Sequence, residues 1–187
     1  MSIHGKKRMV TSKAEEVLTQ SNALFRALID KSSDIIVLAN AEGMLTYISS
    51  SVTHIMGYSP EELVGSPALG LVHPDDLAVM QQVSGAIQQA PETSLRAEYR
   101  LRCKDGLWRW FEGVGTNLLD DPEVGAIIGN FRDITERKQV EEALQAEEQR
   151  FRMVWESASD AMSLSDREGK VLAANPAYYQ LYGFKPE

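Results

Sequence analysis

Three histidines and one cysteine bound the metal and haem chemistry open to this chain of 187 residues. Haem iron takes an axial ligand, usually His. His4 lies in a basic leading stretch, His54 reads as a surface residue of a short helix, and His73 is explained by the start of a longer one. The single cysteine, Cys103, permits neither an intrachain disulfide nor a four-thiolate zinc site. It falls on an inward strand face and reads as a small buried hydrophobe. Carboxylates pair at His73-Pro74-Asp75-Asp76 and at Leu118-Leu119-Asp120-Asp121. Both pairs have structural roles: the first faces the positive end of a helix opened by Pro74, and the second builds a turn before Pro122. There is no phosphate-cradling glycine loop, no dinucleotide fingerprint and no nucleophile elbow. The sequence therefore predicts no catalytic residue and no metal site.

Composition narrows the partners. The formal net charge is −8, with 19 basic and 27 acidic residues. A binder of nucleic acid would show a basic face, and an anionic membrane surface would repel this chain. No apolar run has the length of a membrane helix. The leading Lys6, Lys7 and Arg8 precede no apolar segment, so they do not form a signal peptide. The expectation is a cytoplasmic protein.

The elements that must position these residues follow from periodicity. Residues 13–31 carry Ala14, Val17, Leu18, Leu24, Phe25 and Leu28 at helical spacing. Residues 35–39 and 44–49 form a hairpin about Glu42-Gly43, and 50–56 a short helix stopped by Gly57. Ser59-Pro60-Glu61-Glu62 is a capping box. A helix then runs from Pro74 to about Gln89, with Leu77, Met80, Val83 and Ile87 on one face. Residues 95–104 alternate strictly, Leu95, Ala97, Tyr99, Leu101 and Cys103 against Arg96, Glu98, Arg100, Arg102 and Lys104. Asp105-Gly106 turns the chain into strand 107–119, and 124–134 forms a third strand. Of the two registers that turn allows, one opposes Arg102 to Arg109. The other sets Arg102 across from Trp108, Arg100 across from Trp110 and Tyr99 across from Phe111. Like charges repel and cations favour aromatic faces, so the second is chosen.

The chain also repeats itself. Residues 25–61 align without a gap on 151–187 at an offset of 126, keeping Phe25/Phe151, Asp34/Asp160, Gly43/Gly169, Gly57/Gly183 and Pro60/Pro186. Preserved glycines and prolines mark preserved backbone conformations. One whole module and the opening third of another are predicted, within a longer protein. The expected organisation is a disordered tail 1–12, an amphipathic helix 13–31, a domain 32–135, a linker helix 136–157 and a partial second domain 158–187. An isolated two-stranded hairpin is marginal in water, so 158–187 is expected to be mobile or to borrow a surface.

Four pieces in order, SSDIIVLANAEGMLTYISSSVTHIMGYSPEELVG, HPDD, EYRLRCKDGLWRWFEGVGTNLLDD and GNFRDITERK, resemble a PAS domain with its PAC segment. The HPDD and the tryptophan hairpin resemble the subclass common in bacterial sensor histidine kinases and diguanylate cyclases. The resemblance implies an α+β fold, a five-stranded antiparallel sheet of order 2-1-5-4-3 with helices on one face around a small pocket, flanked by amphipathic helices. It implies that Asp133-Ile134-Thr135, matching the family's terminal DIT motif, passes signal into the helix that follows. Asp133 or Thr135 can cap that helix. From there Val140, Leu144, Glu147, Phe151, Val154 and Ala158 form a coiled-coil-like seam, or the apolar stripe of a solvated linker.

Pocket candidates on the face taken as inward are Ile36, Leu38, Met80, Val83, Tyr99, Leu101, Phe111 and Phe131; core packing is the alternative for each. Gly113 and Gly115 either leave room for a ligand or admit a close-packed helix. Trp110, Asp133, Ile134 and Thr135 are the relay candidates. Helix 74–89, where haem-binding relatives carry their ligand, has no His. The segment Gly65–Val72 lacks the reactive Cys of flavin-binding light sensors. The sequence thus argues against haem and covalent flavin, and leaves a small ligand or none. The expected function is a non-catalytic sensor and relay module, homodimeric through its flanking helices, with a histidine kinase of a two-component phosphorelay as the effector in the same parent chain. The alternatives are control of a diguanylate cyclase or phosphodiesterase, and a ligand-free dimerisation or docking module.

Overall fold

A computed structural model of the chain describes residues 27–29 and 31–183. The chain divides into two units, Met1–Thr135 and Glu136–Glu187. Residues 27–29 are helical; the rest of the helix expected over 13–31, and the tail 1–12, lie outside the described residues apart from Lys31.

The first unit runs β1 (Ile35–Ala39), β2 (Leu45–Ile48), α1 (Ser51–Met56), α2 (Pro60–Leu63), α3 (Pro74–Gln89), β3 (Ser94–Arg102), β4 (Trp108–Leu118) and β5 (Ala126–Asp133). Its strands form one antiparallel sheet in the order β2-β1-β5-β4-β3. This is the α+β arrangement expected from the sequence. Local chemistry sets the punctuation. Gly57 ends α1 at φ +84°, in the left-handed region where only glycine is free of a Cβ penalty. Ser59 and Glu62 make the reciprocal capping box of α2. His73 caps α3 by accepting from the Asp75 N–H at 3.2 Å, with Pro74 in the first turn.

The hairpin β3–β4 adopts the register expected from charge and stacking. Arg102 pairs with Trp108, Arg100 with Trp110 and Tyr99 with Phe111. The Cys103 N–H donates to the Leu107 carbonyl at 2.9 Å across a three-residue loop, where Gly106 takes φ +84°. Arg100 lies 5.3 Å from the Trp110 ring centroid. Trp108 meets a different partner, the edge of His73 at 4.5 Å.

The core lies between the sheet and α1–α3 and is built on Ile35, Val37, Val52, Met56, Tyr99, Leu101, Cys103 and Phe111. Here one expectation fails. The buried residues of β1 are Ile35, Val37 and Ala39, whereas Ile36 and Leu38 are half-buried on the opposite face, beside Asn130 and Ile128 of β5. All five residues of β1 are apolar, so alternation could not tell its two faces apart.

Helix α4 (Thr135–Ser157) leads into the second unit, which adds β6 (Ser163–Ser165), β7 (Val171–Ala174) and α5 (Pro176–Tyr182). No residue of α4 is buried, and Val140, Leu144, Phe151 and Val154 of its seam are exposed. Strands β6 and β7 form their own antiparallel pair.

Candidate functional site

Helix α3 is held to the β3–β4 hairpin at both ends, and this sets the space beneath it. At its N-terminus the Asp76 carboxylate accepts from Arg100 three times: from Nε at 2.9 Å, from the guanidinium tip at 2.7 Å and from the backbone N–H at 2.9 Å. Those bonds hold the Asp76 carboxyl below the usual carboxylate range, against the opposing effect of desolvation. At the other end the buried Asn117 amide donates to the Ile87 and Gln88 carbonyls at 3.1 and 3.0 Å. These carbonyls lie in the last turn, where a helix runs out of internal donors; that of Ile87 also accepts from the Ala90 N–H at 3.2 Å.

Between α3 and the sheet lies a cavity of about 90 Å³. Its floor is Val37, Ala39, Gly113, Gly115 and Gly129, its roof Met80, Val83, Ser84 and Ile87, and Phe131, Tyr99, Leu69 and Ile127 lie among its walls. At each of the three glycines an added Cβ would stand closer than 3.0 Å to a neighbouring side chain, which would have to shift. A Cβ on Gly115 would stand 2.7 Å from Ile87 Cδ1, and one on Gly129 2.9 Å from the Phe131 ring. Gly113 and Gly115 therefore do both things considered for them: they border the cavity, and Gly115 also lets α3 approach. Tyr99 and Phe131 meet edge to face, with centroids 6.3 Å apart. Burial pushes the Tyr99 phenol far above its ordinary pKa, so it carries its proton.

Of the pocket candidates, Met80, Val83, Tyr99 and Phe131 line this cavity. Leu101 and Phe111 are buried in the core without lining it, and Ile36 and Leu38 belong to the other face. Residues not singled out for the pocket include Val37 and Ala39, hidden by the parity of β1, and Gly129, Ser84, Ile87, Leu69 and Ile127. Ile87 could have been found, because it shares a helical face with Met80 and Val83.

The relay candidates come together at the end of β5. The Trp110 N–H donates to Thr135 Oγ1 at 3.0 Å, and the Ile134 N–H to the Trp110 carbonyl at 2.9 Å. Asp133 accepts from the Thr135 N–H at 2.8 Å, at the first residue of α4. Asp133 therefore supplies the capping bond, while Thr135 ties the start of α4 to β4. A further ion pair fastens β5 to the sheet entrance: the Asp34 carboxylate accepts from Arg132 at 2.8 and 2.9 Å and is thereby held below the usual carboxylate range. Among the described residues, no group of three or more His, Cys, Asp or Glu could hold a metal ion. No described helix is long and apolar enough to cross a membrane.

Comparison with known proteins gives the family. Residues 45–130 match a model described as the PAS fold, and residues 149–187 one described as a PAS domain. White collar 2 protein of Neurospora crassa is 39% identical over 79 residues, 42% of this chain and 14% of that protein. Sensor histidine kinase TmoS of Ectopseudomonas mendocina is 28% identical over 145 residues, 76% of this chain and 15% of that protein. The crystal structure of a sensory box histidine kinase/response regulator from Burkholderia thailandensis superposes with a TM-score of 0.54 at 27% identity, covering 69% of this chain and 98% of that one. This chain spans less than a quarter of the length of the curated relatives it matches. A five-stranded sheet of order 2-1-5-4-3, a cavity beneath α3 and two successive matches to PAS models have one reading: the chain belongs to the PAS family, as a PAS sensory module followed by a second segment of PAS sequence.

Proposed function

We infer that this chain is a non-catalytic sensing and relay module of a multidomain signalling protein whose output is a histidine kinase. The observation that carries the reading is a contiguous physical link. A cue in the cavity touches Met80 and Val83 of α3; Asp76 of α3 grips Arg100; Arg100 stacks on Trp110; and the Trp110 backbone holds Thr135, where α4 begins. A shift of α3 therefore reaches the root of α4 through groups that are packed or bonded at every step. The likeness to TmoS, over 76% of this chain, supports a kinase as the output.

The test is a fusion of the chain, in helical register through α4, to the catalytic half of a histidine kinase. Thr135→Val removes the hydroxyl that receives the Trp110 N–H. The expected result is retained autophosphorylation that no longer responds to the cue. Unaltered regulation at normal protein level would remove Thr135 from the relay. A second reading, a constitutive dimerisation module without a ligand, is favoured by one observation: Leu144 and Phe151 of α4 are 68% and 64% exposed. Under that reading the purified chain is a dimer by native mass and binds nothing in its cavity.

A further inference from the structure

The cavity contains a polar atom that the fold does not use. Tyr99 is only 4% exposed, and its hydroxyl has no hydrogen-bond partner among the described residues. A Cβ on Gly113 would lie 2.7 Å from that oxygen, so the hydroxyl sits over the bare glycine floor and opens on the cavity. Among the described residues no buried side-chain nitrogen or oxygen is left without a partner, so this hydroxyl is reachable from the cavity and is a donor available to a ligand acceptor there.

The remaining lining decides the ligand's chemistry. Val37, Met80, Val83, Ile87 and Phe131 present hydrocarbon, Ser84 adds a second hydroxyl, and no lining residue is charged. An ion entering here would lose its hydration without meeting a counter-charge. Size is limited too. The cavity of about 90 Å³ exceeds the share of one water, roughly 30 Å³, and falls short of the roughly 150 Å³ apolar cavity that accepts benzene.

On the reading of this cavity as the sensory site, we propose that its ligand is a small neutral carbonyl compound with fewer heavy atoms than benzene. Its oxygen accepts from the Tyr99 hydroxyl while its carbon body packs against Phe131 and the underside of α3. The whole chain is titrated with three probes of like size: 2-butanone, 2-methyl-1-butene, which has the same shape without the oxygen, and propanoate, which carries a charge. The amide resonances of Gly113, Gly115 and Gly129 report entry. Tyr99→Phe is expected to weaken 2-butanone binding about three- to tenfold and to leave the alkene unchanged. Propanoate is expected to give no saturable shift. The ligand-free variant is expected to melt no lower than the natural chain, because the deleted hydroxyl has no protein partner to lose. Equal affinity of both chains for 2-butanone, tight propanoate binding, or a lower melt of the ligand-free variant would overturn the proposal while leaving the cavity a binding site. Failure of every probe to shift the three glycines would overturn the sensory reading itself.

Discussion

Asp76→Asn removes one charge and one acceptor from the joint between α3 and β3 while keeping the side chain's shape. The carboxylate now receives two guanidinium bonds, at 2.9 and 2.7 Å, and the Arg100 backbone N–H at 2.9 Å. The amide oxygen of Asn can serve only part of that set, and its NH₂ points a donor at a donor. Hydrogen bonds to charged groups contribute about 1.5–3 kcal/mol each when buried. The Asp76 and Arg100 side chains are 18% and 27% exposed, so solvent screens the pair and the lower end applies. A loss of about 1.5 kcal/mol follows, which lowers the Tm of a domain of this size by about 6–12 °C. The assay is a thermal melt followed by far-ultraviolet circular dichroism, repeated from pH 7 to pH 3. Arg100 lowers the folded-state pKa of Asp76, so the stability it contributes is present above the unfolded-state pKa, near 3.9. That stability is lost as pH falls through the folded value, where the natural chain protonates and the variant has nothing to titrate. The gap in Tm should be full at pH 5 and above and begin to close below about pH 4, narrowing further as pH falls toward the lowered folded-state value. Equal melts at pH 7, or a gap undiminished at pH 3, would refute the assignment of the joint to this ion pair. Asp34 titrates in both chains and cancels from the comparison.

Two further outcomes follow from backbone and side-chain geometry. Gly57→Ala places a Cβ at φ +84° and 3.2 Å from Lys104 Cβ, and should cost about 1–2 kcal/mol. Its signature is a lower urea midpoint with an unchanged slope; an unchanged midpoint would show that α1 ends without the left-handed residue. Asn175→Ala removes the side-chain acceptor of the Met162 N–H, bonded at 2.8 Å, while the Tyr178 N–H, bonded to the side chain at 3.0 Å, keeps the Asn175 carbonyl at 3.1 Å. The Met162 amide should lose more hydrogen-exchange protection than the Tyr178 amide, and unchanged protection at Met162 would separate it from the Asn175 side chain.

Local chemistry was legible in the sequence, and contacts between distant segments were legible only where a register could be argued. Gly57, the Ser59–Glu62 box and Pro74 each act within one turn of chain, and each does what its residue type dictates. The pairing of Arg100 with Trp110 was found because only two registers of one tight turn competed and like charges excluded one. Asp76 was understood as a helix-start carboxylate, which it is. Its grip on Arg100, 24 residues away, depends on where α3 lies over the sheet, and no periodicity states that. Asn117 was missed for the same reason: its amide serves the end of a helix about 30 residues earlier. Within the cavity, Tyr99 and Phe131 followed from strand parity, and Met80 and Val83 from the helical face. Val37 and Ala39 were lost because the run Ile35–Ala39 is apolar at every position. A strand half-buried on its second face gives the eye no polar residue to mark the outside.

The repeat shows what a short stretch of chain can specify by itself. In the first unit the Asn40 side chain accepts from the Met44 N–H at 2.8 Å, and Gly43 turns at φ +75°. In the second, Asp166 accepts from the Lys170 N–H at 2.9 Å, and Gly169 turns at φ +86°. The same bulge follows, at Leu38/Ala39 and at Leu164/Ser165. The corner between hairpin and helix is likewise kept, by different side chains. Ser49 accepts from the Ile36 N–H at 2.9 Å while Ser51 donates to the Asp34 carbonyl at 2.9 Å. Asn175 alone does both tasks for the second corner, accepting from the Met162 N–H at 2.8 Å and donating to the Asp160 carbonyl at 2.9 Å. One amide, with a donor and an acceptor on the same carbon, replaces two hydroxyls. Hydrogen bonds of this kind fix shape but add little net stability, whereas burial of apolar area adds most of it. Ile35 and Val52 beside the first corner are nearly inaccessible, while their counterparts beside the second, Ala161 and Tyr178, are exposed and half-buried. The two corners therefore share a geometry that their own polar groups set, and differ in the apolar packing that decides how firmly each one holds it.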